Sequence, residues 1–302
     1  MPELPEVQTV VNDLNKKVIG RKIAGVWFDW PKMLKDPLDQ RKDKIAHKHV
    51  KVFEKTVKGK KILKIARRGK NILIYLSGGL MLLIHQKMTG HLLVGKWQVN
   101  GKKITPLEPR AVITDPNNAY IHLIFYLDNG KMLALSDLRK FAKVILGETE
   151  EVKNLPELAK LGPDAMDPNF NFSDFSRIIS SESRKIKQVL MDQEVIAGIG
   201  NIYSDDILWK AKIHSLKSAN KLSKKDLKEI WKAMKSIFKK ALKLRGTSTS
   251  DFRDTAGKKG KYGPQRLVYQ REGEKCSRCE TKIKRIKIGG RSAHFCPKCQ
   301  QL

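Results

Sequence analysis

The stretch CSRCETKIKRIKIGGRSAHFCPKC, residues 276–299, decides the fold at the C-terminal end of the chain. Its spacing, C-x2-C-x16-C-x2-C, is set by Cys276, Cys279, Cys296 and Cys299. Two such pairs joined by a hairpin-length segment are typical of a four-thiolate zinc ribbon, with iron in a rubredoxin-like site as the alternative. Because cysteine fills all four positions, no ligand position is left for water. The pattern therefore predicts one structural Zn²⁺.

The hairpin between the two cysteine pairs carries a candidate phosphate ligand. Arg291 follows Gly289 and Gly290, which are expected at the hairpin tip. A guanidinium group at such a tip can hold a phosphate with two parallel hydrogen bonds. The alternative is an ordinary solvated turn arginine.

Upstream of the ribbon, the sequence has helical periodicity. Apolar residues recur on one face between Ser223 and Arg245, Ser223 and Asp226 form a variant of the capping box, and Gly246 follows. This pattern predicts a long amphipathic helix. Its many lysines are expected on the solvated face.

A second helical stretch contains the sequence GIGN. Asn201 is expected to cap a helix that has Asp205 and Asp206 in its first turn. Gly198 and Gly200 precede it and would let the backbone approach an anion closely. A plain tight turn remains the alternative to a phosphate site.

The N-terminal half is dominated by short β-rich segments. A helix is expected from Pro5 to Val18, followed by strands KILKIARR, NILIYLS, LMLLIHQ, HLLVGKW, YIHLIFYL, KMLALSD and AKVILGE. We therefore predict an α+β multidomain fold. It comprises an antiparallel β-sandwich with flanking helices (1–150), a linker (151–168), a helical domain (169–262) and the zinc ribbon (263–302).

The charge balance indicates the kind of partner. The 302 residues include 61 Lys and Arg against 31 Asp and Glu, a net charge of +30. Such an excess favours nucleic acid as partner, with an acidic membrane or simple solubility as alternatives. The sequence has neither an apolar run of membrane-spanning length nor a signal-peptide pattern. A cytosolic protein that does not act at a membrane is expected.

Turns of the N-terminal half carry further candidate residues. Lys70 lies in ARRGKN, Met88 in HQKMTG, and Arg139 and Phe141 in SDLRKFA. Apolar side chains on turns can separate stacked bases, and an arginine can bind a base that has lost its partner. Ordinary packing is the alternative for each of them.

Taken in order, the motifs resemble the formamidopyrimidine-DNA glycosylases, bacterial enzymes of base-excision repair. The resemblance runs from residue 2 to residue 301. It rests on MPELPEV, RRGK, H-x-x-MTG, D-x-R-x-F, LGP, DQ-x-x-x-AGIGNIY, LVYQREGE-x-C and GGR-x-x-x-FCPKCQ. It implies that the helical part is a helix–two-turn–helix domain.

The resemblance also implies the chemistry. Removal of Met1 would leave Pro2 as a secondary-amine nucleophile that attacks C1′ of the damaged nucleotide and forms an iminium. Glu3 would be the general acid and base, and Glu6 would support the site. Lys70 would join this catalytic set and contact phosphate. Base release would be followed by β- and δ-elimination, which makes the enzyme both a glycosylase and an AP lyase.

The resemblance implies that the other matching residues bind DNA. Asn201 and Arg291 would hold phosphates around the flipped nucleotide, and Tyr203 belongs to the same DNA-binding motif. Met88, Arg139 and Phe141 would fill the void, with Arg139 facing the orphaned cytosine. The implied partner is duplex DNA that carries an oxidised base, 8-oxoguanine or a formamidopyrimidine. A monomer associated with the nucleoid is expected.

Some positions depart from the family pattern. Asp206 stands where glutamate is usual, and Gln270 stands where glycine is usual. The segment between Thr247 and Tyr262, similar to the loop that closes over the lesion, differs in sequence. Residues 95–118 are longer than expected and predict a surface insertion. These departures leave the preferred base open.

Two other functions are alternatives to this one. One is an endonuclease-VIII-type glycosylase for oxidised pyrimidines, although such enzymes usually have glycine where Leu4 stands. The other is a zinc-stabilised DNA-binding protein without catalysis, which would have no use for Pro2 and Glu3.

Overall fold

A computed structural model describes residues 1–35, 47–249 and 251–302. Residues 36–46, within the predicted N-terminal domain, and Ser250, within the predicted loop, lie outside the described residues. The chain divides into two compact units. The first comprises Met1–Ala159 and Arg245–Lys261, and the second comprises Lys160–Leu244 and Tyr262–Leu302. The predicted domain bounds at 150, 168 and 262 remain a prediction.

The helices of the first unit begin with the one predicted at the N-terminus. Pro5 suits the first turn, and Glu3 is the N-cap residue. Apolar residues on one face of this helix, from Val7 to Leu14, are buried in the core. The helices are α1 (Leu4–Lys17), α2 (His47–Val57), α3 (Arg110–Thr114), α4 (Thr149–Lys153) and α5 (Pro156–Ala159).

Two five-stranded sheets accompany these helices in the described part of the first unit. All seven predicted strands are present, and three short strands, β1, β2 and β7, were not predicted. The strands are β1 (Ile23–Phe28), β2 (Leu34–Lys35), β3 (Ile62–Arg68), β4 (Asn71–Leu76), β5 (Leu80–His85), β6 (His91–Asn100), β7 (Lys103–Glu108), β8 (Ile121–Leu127), β9 (Met132–Ser136) and β10 (Lys143–Glu148).

The order of strands explains how the core forms. One sheet runs β1-β8-β9-β6-β7 and the other β2-β10-β5-β4-β3. Alternating apolar residues of both sheets, such as Ile74 and Leu123, meet α1 in one buried core. The sandwich is antiparallel as predicted, except that β2 pairs with β10 in parallel.

The region predicted to be a surface insertion forms an edge strand with exposed and half-buried residues, followed by a short helix. β7 pairs with the second half of β6, and Trp97 and Val112 are buried in a second apolar cluster of this sheet. The region thus extends the sheet by one edge strand and covers part of its second apolar cluster.

The second unit is helical, with a terminal hairpin. The predicted capping box of Ser223 and Asp226 starts the long helix, which ends at Lys243. Phe170, Phe175 and Trp231 pack their rings together. The elements are α6 (Phe172–Ser180), α7 (Ile186–Met191), α8 (Asn201–Ala211), α9 (Lys224–Lys243), β11 (Lys284–Ile288) and β12 (Arg291–Phe295). In the described part of the chain, no helix is both long and apolar enough to cross a membrane.

Candidate functional site

The start of the chain forms a closed set of hydrogen bonds around two carboxylates. The backbone nitrogen of Glu3 donates to Oε2 of Glu6 at 2.8 Å, and the Glu3 side chain accepts from the backbone of Glu6. Oε1 of Glu6 accepts from the backbone nitrogen of Thr247 at 2.6 Å. Both carboxylates are buried, with 3% and 1% of their surface exposed. The site therefore holds two acids in fixed positions beside the N-terminus.

The N-terminal amine lies within this charged surrounding. Burial lowers the pKa of the Met1 amine below its ordinary value. Glu3, Glu6 and Asp251 oppose this shift, and Lys70 adds to it. A lowered pKa increases the neutral fraction of an amine near pH 7, and only the neutral form is a nucleophile.

Lys70 is held in the turn between β3 and β4. Gly69 adopts a φ of +57°, and Arg67 donates to the Gly69 carbonyl at 3.0 Å and to Gln8 of α1 at 2.7 Å. These contacts tie the turn to the helix that begins at the N-terminus. The Lys70 side chain is buried at 6% exposure. Its positive charge lowers the pKa of the N-terminal amine.

His85, in the predicted H-x-x-MTG motif, is kept neutral. Burial, with Lys87, Lys70 and Lys143 nearby, lowers its pKa to about 3. Its Nδ1 accepts a hydrogen bond from the backbone of Lys87 at 2.9 Å. The ring therefore contributes shape to the turn and carries no charge at neutral pH.

The turns that carry Met88, Arg139 and Phe141 are joined by a buried aspartate. Asp137 is fully buried and bonds the Thr89 hydroxyl, while its other oxygen accepts from the Ala142 backbone at 2.6 Å. The two turns are therefore fixed side by side.

Met88, Arg139 and Phe141, which we call the wedge residues, are exposed on those turns. Met88 is 40% exposed and Phe141 is 52% exposed. The guanidinium of Arg139 lies 4.6 Å from the centre of the Phe141 ring. The structure thus brings Met88, Arg139 and Phe141 onto one exposed surface of the first unit.

In the second unit, Asn201 and Arg291 line one groove of about 530 Å³. Arg285 and Lys287 line it as well, so three cations and an amide face the same space. Glu272 is the acidic residue of the described lining. The groove therefore has the donors and the charge that a phosphate requires.

The position of Asn201 is set by residues around the GIGN turn. Oε1 of Gln193 accepts from the Gly198 backbone at 3.0 Å, and its Nε2 donates to the Ile199 carbonyl at 2.8 Å. Gly200 is the N-cap residue, and Asn201 is the first residue of α8. The prediction that Asn201 is the cap itself was therefore wrong by one residue.

The two aspartates predicted in the first turn of α8 lie beyond it and are buried. Lys187 Nζ donates to Asp205 Oδ1 at 2.6 Å and to the Asn201 carbonyl at 3.1 Å. Asp205 Oδ2 accepts from the backbone and the ring of His294 in β12. Asp205 thus ties the helix of Asn201 to the strand of Arg291, which the sequence did not reveal.

Asp206 and Tyr203 also have structural surroundings. Asp206 accepts hydrogen bonds from the Tyr262 hydroxyl and from the backbone nitrogens of Leu267 and Val268. The Tyr203 ring is fully buried against Phe238 and Tyr262. This burial favours a packing role for the Tyr203 ring beneath Asn201 over direct contact with DNA.

The four cysteines fit a zinc ion. Their sulfur atoms all lie within 4.8 Å of one another, and two of the separations are 3.4 Å. A tetrahedral site with Zn–S bonds of about 2.3 Å has S–S edges of about 3.8 Å. Cys276, Cys279, Cys296 and Cys299 would therefore hold one structural Zn²⁺ at the base of the β11–β12 hairpin.

Sequence comparison places three family models in order along the chain. Residues 1–144 match the formamidopyrimidine-DNA glycosylase N-terminal domain, and residues 161–253 match its H2TH domain. Residues 273–302 match the zinc finger found in FPG and IleRS.

Whole-length relatives agree with the family models. The formamidopyrimidine-DNA glycosylases of Pelotomaculum thermopropionicum and Desulforamulus reducens are 35% and 36% identical over 302 residues, which is 100% of this chain and 100% and 99% of theirs. A Lactococcus lactis Fpg in complex with abasic-site DNA superposes with a TM-score of 0.81 at 32% identity, covering 99% of this chain and 100% of that one. The wild-type Lactococcus lactis Fpg in complex with DNA that contains N7-benzyl-Fapy-dG gives 0.82 at 33% identity, with 100% of both chains covered.

Proposed function

The chain belongs to the formamidopyrimidine-DNA glycosylase family, and we propose that it performs the family's reaction with Pro2 as nucleophile. It is a base-excision-repair enzyme that removes oxidised purines from duplex DNA and has AP lyase activity. The comparisons favour this function over an oxidised-pyrimidine glycosylase and over a DNA-binding protein without catalysis.

The observation that carries the assignment is the surrounding of the N-terminal amine. Two buried carboxylates and Lys70 act on it, and burial lowers its pKa. After removal of Met1, the Pro2 nitrogen would be a secondary amine one residue further along, and Pro2 is itself buried beside Glu3. It attacks C1′, the bond to the base breaks, and the base leaves with the bonding electrons and takes up a proton.

Glu3 serves as the general acid and base of this scheme. It protonates the ring oxygen of the sugar as the ring opens, and it accepts protons during the eliminations that follow. Glu6 holds the backbone of Glu3 by the 2.8 Å hydrogen bond. The iminium acidifies C2′, so the 3′ phosphate leaves by β-elimination and the 5′ phosphate leaves by δ-elimination.

The phosphates of the damaged strand are assigned to Lys70, Asn201 and Arg291. Support comes from the cationic groove that Asn201 and Arg291 line, and from the buried cation of Lys70. The Tyr203 ring is proposed to support the start of α8 rather than to touch DNA. Cys276, Cys279, Cys296 and Cys299 would hold Zn²⁺, which stabilises the hairpin when bound and takes no part in the reaction.

Met88, Arg139 and Phe141 are assigned to the space that the flipped nucleotide leaves. Their exposure on turns joined by Asp137 supports this role. Arg139 would bind the orphaned cytosine, because a guanidinium can donate to the acceptors of that base. The duplex substrate is consistent with a nucleoid-associated, cytoplasmic protein, and we propose that it works as a monomer.

Incision of defined duplexes tests the assignment. Three duplexes of one sequence would carry 8-oxoguanine opposite cytosine, an oxidised thymine opposite adenine, or no lesion. We expect single-turnover cleavage of the first to be the fastest. Preferential cleavage of the oxidised thymine would favour the pyrimidine alternative, and binding without cleavage of any duplex would favour the non-catalytic one.

A further inference from the structure

A lysine-rich pocket lies beside the wedge residues of the first unit and has no role in the reaction described above. It encloses about 390 Å³. The lining consists of Trp30, Lys32, Lys35, Lys87, Lys140, Phe141, Ala142 and Lys143. Five of these eight residues are lysines, and none of the described lining is acidic.

Strand pairing explains why these lysines converge. β2 pairs with β10 in parallel, which places Lys35 beside Ile145. β10 pairs with β5, which places Lys143 beside His85, two residues before Lys87. Three segments that are distant in sequence thus bring their lysines to one edge of the sheet.

Trp30 holds two of the ammonium groups in place. Lys140 Nζ lies 4.5 Å from the centre of the indole ring, and Lys32 Nζ lies 5.3 Å from it. Such cation–π contacts restrict where the two ammonium groups can lie. Lys143 is paired with Glu157, which neutralises one of the five charges. The pocket is therefore a partly preorganised site for an anion with several charges.

The turn after β9 connects this pocket to the wedge. Arg139 packs on the Phe141 ring, while Lys140 between them adopts a φ of +58° and reaches Trp30. Phe141 itself lines the pocket. Phe141 therefore belongs both to the wedge residues and to the lining of the pocket. It lies on the same turn as Arg139, which is assigned to the orphaned base.

We propose that this pocket is a second phosphate-binding site, which holds the backbone of the DNA strand opposite the lesion next to Phe141. The inference rests on the proposed function, because that function puts Arg139 against the opposite strand. The chemistry of the pocket selects phosphates, since clustered ammonium groups favour the polyanion whose counterions they release. Contacts of this kind fix the position of a protein on DNA without reading its sequence.

A double-substitution cycle tests which strand the pocket holds. The full chain would bind a duplex with a tetrahydrofuran abasic analogue opposite cytosine. One phosphate at a time would be replaced by a neutral methylphosphonate, along the opposite strand and then along the lesion strand. Binding would be compared for the wild type, for Lys32→Gln/Lys35→Gln, and for the control Lys102→Gln/Lys103→Gln. The control removes the same charge from exposed positions of the same unit.

We expect the wild type and the control to lose affinity, by about threefold for each contact, at one or two opposite-strand linkages near the orphaned base. Lys32→Gln/Lys35→Gln should show no further loss at those linkages, and its salt dependence should be shallower by about two units. The wild type and the control should cleave an 8-oxoguanine duplex at the same single-turnover rate.

Three results would overturn the proposal. First, methylphosphonate replacement could weaken binding of the double variant as much as that of the wild type at every opposite-strand linkage. Second, the two could differ only at linkages of the lesion strand. Third, inorganic pyrophosphate could bind the wild type better than the double variant, while methylphosphonate replacement affects both proteins equally on either strand. That result would indicate a site for a free polyphosphate. Failure of the wild type to cleave 8-oxoguanine DNA would count against the proposed function, while the binding cycle would still report on the pocket.

Discussion

Oε1 of Glu6 accepts a hydrogen bond of 2.6 Å from the backbone nitrogen of Thr247, 241 residues away in the sequence. Gly246 makes this approach possible. A Cβ atom built on Gly246 would lie 2.7 Å from Oε1 of Glu6, and its φ is +81°. The buried carboxylate beside the nucleophile thus depends on a glycine from a distant segment.

Gly246→Ala should therefore slow base release from an 8-oxoguanine duplex by tenfold or more (about 1.4 kcal/mol per factor of ten). The added methyl group must displace Glu6, which positions Glu3. The matched control is Gly130→Ala, because Gly130 has a φ of +74° with nothing within 4 Å of its Cβ position. Both variants should lose about 1–2 kcal/mol of stability from the left-handed backbone. Equal single-turnover rates for the two variants would contradict the role of Gly246.

Gln270→Gly should stabilise the protein. Gln270 has a φ of +54°, a conformation that favours glycine, and glycine is the residue that the family pattern led us to expect there. The gain should be about 0.5–1 kcal/mol, since the Arg266 contact to its side chain is exposed and worth little. Urea unfolding measures the change. A lower midpoint in the variant would show that the glutamine contributes more than its backbone costs.

The pair of buried Arg253 and half-buried Asp115 gives a prediction about pH. Arg253 is 1% exposed, and its Nε lies 2.6 Å from Asp115. Burial alone would raise the pKa of Asp115, but hydrogen bonds from Arg253 and Asn117 hold it below the ordinary value. An aspartate whose pKa is lower in the folded than in the unfolded chain stabilises the fold at any pH above its unfolded pKa of about 3.9. This stabilisation is lost as the pH falls through the pKa of the folded state.

Because Asp115 keeps partial access to water, Arg253→Met should cost about 2 kcal/mol at pH 7, and it should flatten the loss of stability as the pH falls below about 4. Arg177→Met is the control, because the pair of Arg177 with Asp174 is exposed and contributes about 0–1 kcal/mol. Denaturant unfolding at several pH values measures both. An acid profile for Arg253→Met that parallels the wild type would refute the assignment to Asp115.

The periodic parts of the fold were predictable from the sequence, and the long-range contacts of the site were not. The strands between residues 61 and 148 follow local alternation, and the helix after Ser223 carries its own capping signal. β2 has two residues and β7 contains Pro106, so neither presents a clear pattern. The contact of Glu6 with Thr247 depends on tertiary packing that no local pattern encodes.

In the candidate site, too, local sequence patterns predicted some features and missed others that depend on long-range contacts. The cysteine spacing alone predicted the metal site, whose sulfur atoms do converge. The roles of Pro2, Glu3 and Asn201 came from the family resemblance, because isolated residues of these types have many uses. Asp137 and Asp205, which fix the turns and the helix that present the site, were not identified as functional residues. Their partners lie in other elements, which the sequence does not bring together.

Removal of zinc should abolish tight DNA binding. The cysteine cluster closes the base of the hairpin that presents Arg291, and Trp209 donates to Cys276 Sγ at 3.4 Å. Purified protein should contain one zinc ion per chain, and chelation should change tryptophan fluorescence and weaken binding to an abasic duplex. Added Zn²⁺ should restore both, with Trp209→Phe as the control for the fluorescence signal. Full affinity in metal-free protein would show that the hairpin does not need the ion.

Borohydride trapping on a duplex with one 8-oxoguanine opposite cytosine tests the central claim most directly. Reduction of the iminium joins the protein covalently to the sugar, and peptide mass analysis then locates the linkage. We predict an adduct at residue 2 of a chain that has lost Met1, and a strongly reduced yield with Pro2→Gly, which replaces the secondary amine by a primary one. An adduct at another residue such as Lys70, or cleavage without any adduct by protein lacking Met1, would contradict the assignment of Pro2 as nucleophile.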